Sequence, residues 1–374
     1  MQVSEYSIWM TVWCSSFLIL IFYILRKKSF LIDICSVSGV IILYIFCLIR
    51  MAIPVEFSWT KVISGGEIYR IFYKAVHLKT ISYVYVNDLI YLVWSFGTTI
   101  FIVRYINQYI KLQKYVDKLP NVNDERINQI ISKVSKGRVP RVVRTKTVGI
   151  PCCFGVIHQS IILPEKEYTD EELYYILVHE CAHLQNQDIL TKALTNVLCA
   201  LYWWNPIVYL LKKDLNQSLE IRCDSLVTKG ISKEQRADYL SAMLSFYKDY
   251  ALSNEKYDAP VMQLFENHSE SMIERFEMVA GYKNKKVWMS NLITIAVAIG
   301  ILVISYSFIV QAKFEAPKDE IEVDEYTHEI DQSNSYIIKK KDGSVVLHTE
   351  YEEVTIEQET CARLVNEGFQ VVVE

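Results

Sequence analysis

Glycine and proline are scarce in this chain, at 12 and 8 of 374 residues. Together with 51% hydrophobic and 13% aromatic content, that scarcity points to a helical membrane protein. No basic excess is present, the net charge being -4, which argues against a direct nucleic-acid binder. The nine cysteines contain no C-x-x-C pair, so neither a zinc ribbon nor a thioredoxin-like motif is supported. Cys14, Cys35 and Cys47 fall in apolar stretches, Cys152, Cys153, Cys181, Cys199 and Cys223 in the middle of the chain, and Cys361 near its end. Most read as small buried hydrophobes.

Four stretches are long and apolar enough for a membrane span of about 20 residues: 6–25, 30–53, 84–103 and 287–310. The first lacks a small-residue cleavage site and is followed at once by another span, so an anchor is expected rather than a signal peptide. Arg26-Lys27-Lys28 between the first two spans, and Arg104, Lys111, Lys114 and Lys118 after the third, mark the cytoplasmic side. Lys283, Lys285 and Lys286 precede the fourth span, and an acidic tail follows it. The expected order is an outside N-terminus, an extracellular loop over 54–83, a cytoplasmic domain over 104–286, and an extracellular tail over 311–374. Asp33, Arg50 and Asp88 lie near span ends, where snorkelling to the interface is the simpler reading.

Within the cytoplasmic region, "ILVHECAHLQNQD" holds His179, Glu180 and His183 as H-E-x-x-H. Thr169 with Glu172 three residues later forms a capping box, and Leu173, Ile176 and Leu177 repeat at helical spacing. On such a helix the two histidines share a face and reach one Zn2+ ion, while Glu180 addresses a water as general base. The metzincin extension is missing, since Asn186 and Ile189 stand where it needs glycine and histidine.

A catalytic zinc needs a third protein ligand. "LNQSLEIRCDSLV" offers Glu220 and Asp224 at i and i+4, one to ligate the metal and the other to accept the free ring N–H of a ligand histidine. Between the two halves lies the apolar segment 189–211, and a single crossing there would strand Glu220 across the membrane from His183. The segment must return, with the turn at Asn205-Pro206. Two helices entering or lying along the inner leaflet, and a hairpin buried in a soluble core, both satisfy that condition.

"FGVIHQSIILPEKEYTDEEL", "HECAHLQNQD", "WWNPIVYLLKKDLNQSLEIRCDSLV" and "SMIERFEMVAGYK" together resemble the BlaR/MecR-type membrane zinc metallopeptidases, antibiotic-sensing signal transducers of bacteria. The resemblance covers roughly 150–286 and the arrangement of spans. It implies a mainly α membrane protein with a cytoplasmic α+β gluzincin-type peptidase domain. His179, His183 and Glu220 would be its zinc ligands, Glu180 its base, and Asp224 the carboxylate behind a ligand histidine. It also implies a cytoplasmic repressor as substrate, and leaves room for self-cleavage and a homodimer. Direct sensing of β-lactams is not expected, because the tail holds only about 60 residues and no S-x-x-K motif.

Upstream of the motif, Val139 to Leu163 reads as two short strands. An edge strand with Cys153, Phe154, Gly155 and Val156 is the candidate for pairing with an extended substrate; packing of a small sheet is the competing reading. The tail reads as a small α+β module, with a hairpin turning at Asp342-Gly343, a helix near Glu357 to Asn366 and a strand in "FQVVVE". Such a module suits an envelope ligand, or is an inert tail. A housekeeping membrane protease and a non-proteolytic receptor with a structural metal are the alternatives in function. Glu180 argues against the latter, since a structural site has no use for a base.

Overall fold

The computed structural model describes residues 2–27, 30–81, 84–135, 139–252, 269–281, 287–311, 335–340, 344–349, 353–356, 358–366 and 368–373. They fall into two units, 1–314 and 315–374.

The first unit opens with α1 (Glu5–Lys27) and α2 (Phe30–Ala52), the latter interrupted at Ser36, whose φ is 65°. Next come β1 (Lys61–Ser64), α3 (Gly66–Val76), β2 (Lys79–Ile81), β3 (Val84–Tyr85) and α4 (Val86–Lys118). The middle of the chain forms α5 (Glu125–Val134), β4 (Arg141–Thr145), β5 (Cys152–Phe154), β6 (Ser160–Pro164) and α6 (Asp170–Gln185). The unit closes with α7 (Asp188–Leu201), α8 (Pro206–Val227), α9 (Lys233–Leu252), α10 (Ser269–Ala280), α11 (Val287–Tyr306) and β7 (Phe308–Gln311). Among the described residues, four helices are long and apolar enough to cross a membrane: Glu5–Lys27, Ile34–Ala52, Val86–Lys118 and Trp288–Tyr306.

α4 does not stop where its apolar stretch ends. Leu92, Phe96 and Val103 are exposed along its first part, as suits a surface facing lipid, whereas Leu112 and Val116 further on are buried. They pack with Val143, Phe154 and Ile162 under a three-stranded sheet ordered β4-β6-β5. β4 runs parallel to β6 and β5 antiparallel to it, pairing Val143 with Ile162 and Cys153 with Ile161. Side chains alternate across this sheet, so Val142, Ile161, Leu163 and Cys153 face the other way, onto α5 and α6. One continuous helix therefore joins the apolar bundle to the sheet that supports the H-E-x-x-H helix.

The segment 189–211 returns on itself. Asn205 caps α8 by accepting from the Ile207 N–H at 3.0 Å, with Pro206 in the first turn. The hairpin of α7 and α8 packs among the apolar helices: Trp94 donates to the Leu201 carbonyl at 2.7 Å, Tyr202 to the Met51 carbonyl at 2.8 Å, and Asn205 to Ser16 at 2.9 Å. Trp203 packs against α4, stacked on Phe101 and against Gly97. Leu190, Leu194, Val197 and Trp204 leave an exposed apolar stripe on the hairpin.

Arg50 does not snorkel. It is 3% exposed and turned into the bundle, where it bonds Thr11 on α1 and Ser305 on α11 and lies over the Tyr306 ring. At that same end β1 pairs in parallel with β7, Lys61 opposite Phe308, and Gln2 bridges Glu56.

The second unit comprises β8 (Tyr336–Lys339), β9 (Val345–His348), β10 (Glu353–Thr355), α12 (Gln358–Asn366) and β11 (Val371–Val373). Its sheet is ordered β10-β9-β8-β11, with β11 parallel to β8. Cys361 and Leu364 of the helix pack on Ile337, Val345 and Leu347. The turn at Asp342-Gly343 lies outside the described residues.

Candidate metal centre

α6 starts where its sequence signal lies. The Thr169 hydroxyl accepts from the Glu172 N–H at 3.2 Å, and the Glu172 carboxylate accepts from the Thr169 N–H at 3.0 Å. With its start fixed, the helix carries His179 and His183 on one face, their Nε2 atoms 3.1 Å apart. Glu220 arrives from α8, with one oxygen 3.5 Å from His179 Nε2 and the other 3.5 Å from His183 Nε2. Two donors each about 2.0–2.1 Å from a tetrahedral ion lie roughly 3.3 Å apart, so these separations fit a single metal ion. Within the described residues, His179, His183 and Glu220 form such a group, their ligand atoms all within 4.8 Å of one another.

The far side of each imidazole is equally organised. His179 Nδ1 lies 3.0 Å from the Tyr239 hydroxyl and 3.3 Å from Asp224 Oδ1, and Tyr239 donates to Asp224 at 2.6 Å. His183 Nδ1 lies 2.7 Å from Asp188 Oδ2. An acceptor at Nδ1 holds the proton there and leaves the Nε2 lone pair for a metal. Each supporting carboxylate is anchored in turn by an arginine. Arg275 on α10 grips Asp224 with two bonds of 2.6 and 2.7 Å, and Arg222 bonds Asp188. Burial alone would raise the Asp224 carboxyl, but Arg275 outweighs it and holds the group well below the usual carboxylate range.

Glu220 has two cations beside it, Lys192 Nζ at 3.2 Å and Arg275 Nη1 at 3.4 Å. Burial opposes its ionisation, yet His183 and Lys192 keep it well below the usual carboxylate range. Glu180, 6% exposed, points its carboxylate at the Cys153 thiol, 2.9 Å away on the edge strand β5. Burial and the neighbouring Glu180 push that thiol well up, so it remains an S–H donor. A second metal-like group, His183, Asp188 and Cys223, is the rear of the same site, because Asp188 and Cys223 approach His183 through Nδ1.

The structure thus brings His179, Glu180, His183, Glu220 and Asp224 together. Of the residues considered for substrate pairing, Cys153 and Phe154 lie on β5, with Phe154 turned away under Tyr109. Gly155 and Val156 fall in the turn beyond it. Gly155 has φ 93°, where a Cβ would meet the His158 carbonyl oxygen at 2.1 Å, and the Val156 N–H donates to the Tyr109 hydroxyl. Asp188, Lys192, Arg222, Tyr239 and Arg275 escape the sequence reading. Asp188 had a signal, an acid just past the helix that carries both histidines; Arg275 lies inside "SMIERFEMVAGYK" with no chemistry attached to it by spacing.

Among the described residues, four helices apolar enough to span a membrane are joined to a His, His, Glu cluster with an adjacent carboxylate, the pattern of a membrane metallopeptidase. Residues 2–279 match the family model described as BlaR1 peptidase M56, and the chain belongs to that metallopeptidase family. It is similar to the regulatory protein BlaR1 of Bacillus licheniformis, 26% identical over 167 residues, which is 43% of this chain and 28% of that protein. It is also similar to the methicillin resistance mecR1 protein of Staphylococcus aureus, 23% identical over 287 residues, 72% of this chain and 46% of that protein. The chain spans less than half the length of these relatives.

Proposed function

We propose that the chain is a gluzincin-type zinc endopeptidase of the bacterial cell membrane that works as a regulatory signal transducer. Its site faces the cytoplasm and cleaves a transcriptional repressor there in response to a signal received outside. The observation that carries the chemistry is the convergence of His179, His183 and Glu220 at separations a single metal ion spans, with Glu180 next in sequence to His179. Zinc bound there supplies Lewis acidity toward the scissile carbonyl. Glu180 takes the proton of the attacking water and delivers it to the leaving amide nitrogen. Asp224 with Tyr239 and Asp188 hold His179 and His183 in the tautomer that presents Nε2. The edge of β5 away from β6, unpaired among the described residues, offers backbone groups to an extended substrate.

Orientation follows from charge: Arg26-Lys27, and Arg104 to Lys118 after the apolar part of α4, mark the cytoplasmic side. The start of α1, the 54–83 loop and the 311–374 tail are then outside, and the hairpin 189–211 dips into the membrane with its exposed apolar stripe toward lipid. Regulation is supported by the names of the similar proteins, a regulatory protein and a methicillin resistance protein. The tail unit is the natural place for an envelope ligand.

Glu180→Gln tests the reading. Zinc content should be unchanged and cleavage abolished; signalling that survives the substitution would sink the proteolytic function. Comparing cellular proteins with and without Glu180→Gln separates regulation from housekeeping. A single accumulating repressor supports regulation, and many unrelated membrane proteins would overturn it.

A further inference from the structure

Side chains alternate along β5. Cys152 and Phe154 pack toward α4, while Cys153 turns to the α5 and α6 side. There its Sγ lies 2.9 Å from Oε2 of Glu180 and 3.2 Å from the carbonyl oxygen of the same residue. An ionised carboxylate only accepts, so the thiol proton is the donor, shared between two acceptors of one residue. Among the described residues this thiol is the side-chain donor to the Glu180 carboxylate.

A glutamate's last torsion is broad and roughly two-fold, so helix placement alone does not settle which way its oxygens face. A donor on one oxygen removes that freedom. We propose that Cys153 is a positioning residue for the general base, its S–H holding Oε2 so that Oε1 is left to address the water. This rests on the reading of Glu180 as base. It gives the side chain of Cys153, read in the sequence as part of a substrate-pairing strand, a role of its own, and it makes the edge strand a support for the base as well as a substrate rail. The thiol suits the place because it is compact and a weak donor, bonding the carboxylate while leaving it free to accept a proton.

The test uses the full chain purified in detergent and loaded with zinc, with fluorescein-labelled casein as probe. Cys153→Ala should lower kcat about tenfold, the scale of one lost bond to a charged group, with KM and zinc content unchanged. Cys153→Ser, which keeps a donor, should restore most of the rate. Infrared spectroscopy reads the same contact without turnover. The S–H stretching band assigned to Cys153 by its loss in Cys153→Ser should lie below those of the other buried thiols, and should rise in Glu180→Ala. A Cys153→Ala enzyme with wild-type kcat, or a thiol band that Glu180→Ala leaves unmoved, overturns the proposal. Full activity of Glu180→Gln would instead overturn the assignment of the base, so the two failures are told apart. If Cys153→Ala does not fold or casein is not cut, the thiol band decides.

Discussion

Arg26, at the end of the first helix, and Asp214, in the middle of α8, face each other at 2.6 Å with 3% of either side chain exposed. The same guanidinium donates to Ser218 at 3.2 Å and to Glu274 at 3.0 Å, while Tyr44 bonds the second oxygen of Asp214. Glu274 is the neighbour of Arg275, which grips Asp224 behind His179. α1 and α2 are therefore tied by hydrogen bonds to the two helices that complete the site.

Removing one partner of this buried pair leaves the other without its counter-charge. Arg26→Met should cost about 3–5 kcal/mol, seen as a lower thermal midpoint in detergent. Adding Asp214→Leu should recover part of the loss. Equal midpoints for the single and double variants would show that the pair is not the source.

Asp188 bonds His183 at Nδ1, 2.7 Å away and on the opposite side of the ring from the Nε2 that faces His179. Asp188→Asn should weaken zinc binding by about 10- to 100-fold, measured by competition with a chromogenic chelator. Unchanged affinity would deny this bond a part in metal binding.

The cap of α6 has a pH signature. Burial alone would raise Glu172, but its bonds from Thr169 and Ser245 lower it below its ordinary 4.5. Its folded value being depressed, its contribution is complete above pH 4.5 and is lost as pH falls through the folded value. Thr169→Ala should cost about 1 kcal/mol near neutrality. The thermal midpoints of wild type and Glu172→Gln should differ at pH 7 and converge in acid; a gap independent of pH would exclude the carboxylate as the source.

Gly97 lets the hairpin dock. A Cβ there would lie 2.4 Å from Trp203 Cε2. Gly97→Ala should destabilise by about 1–3 kcal/mol through overpacking, and Trp203→Leu in that background should relieve much of it. A Gly97→Ala chain as stable as wild type would mean that the ring shifts freely.

The proximity of His179 to His183, the start of their helix at Thr169, and the return of the chain at Asn205-Pro206 were legible because each depends on a few adjacent residues. The approach of Glu220 to His179 and His183 was legible for a topological reason, since it required the apolar segment 189–211 to return on itself. What stayed hidden depends on long-range packing. Arg26 counted in the sequence only as one charge of a basic cluster, yet its partners lie on α8 and α10. Arg50 looked like an interfacial residue because it lies near a span end; whether it turns outward or inward depends on Thr11 and Ser305 on other helices. Arg275 and Tyr239 come from helices that no spacing rule relates to H-E-x-x-H.

The pairing of β1 with β7 joins residues made far apart in time. Val62 and Ile63 are made early, and their partners Ile309 and Val310 come only after α11. A chain growing from its N-terminus carries that strand edge uncovered until the last apolar helix is in place. A chain stopped before Phe308 would retain the cluster of His179, His183 and Glu220 with an unpaired strand at the bundle's opposite limit.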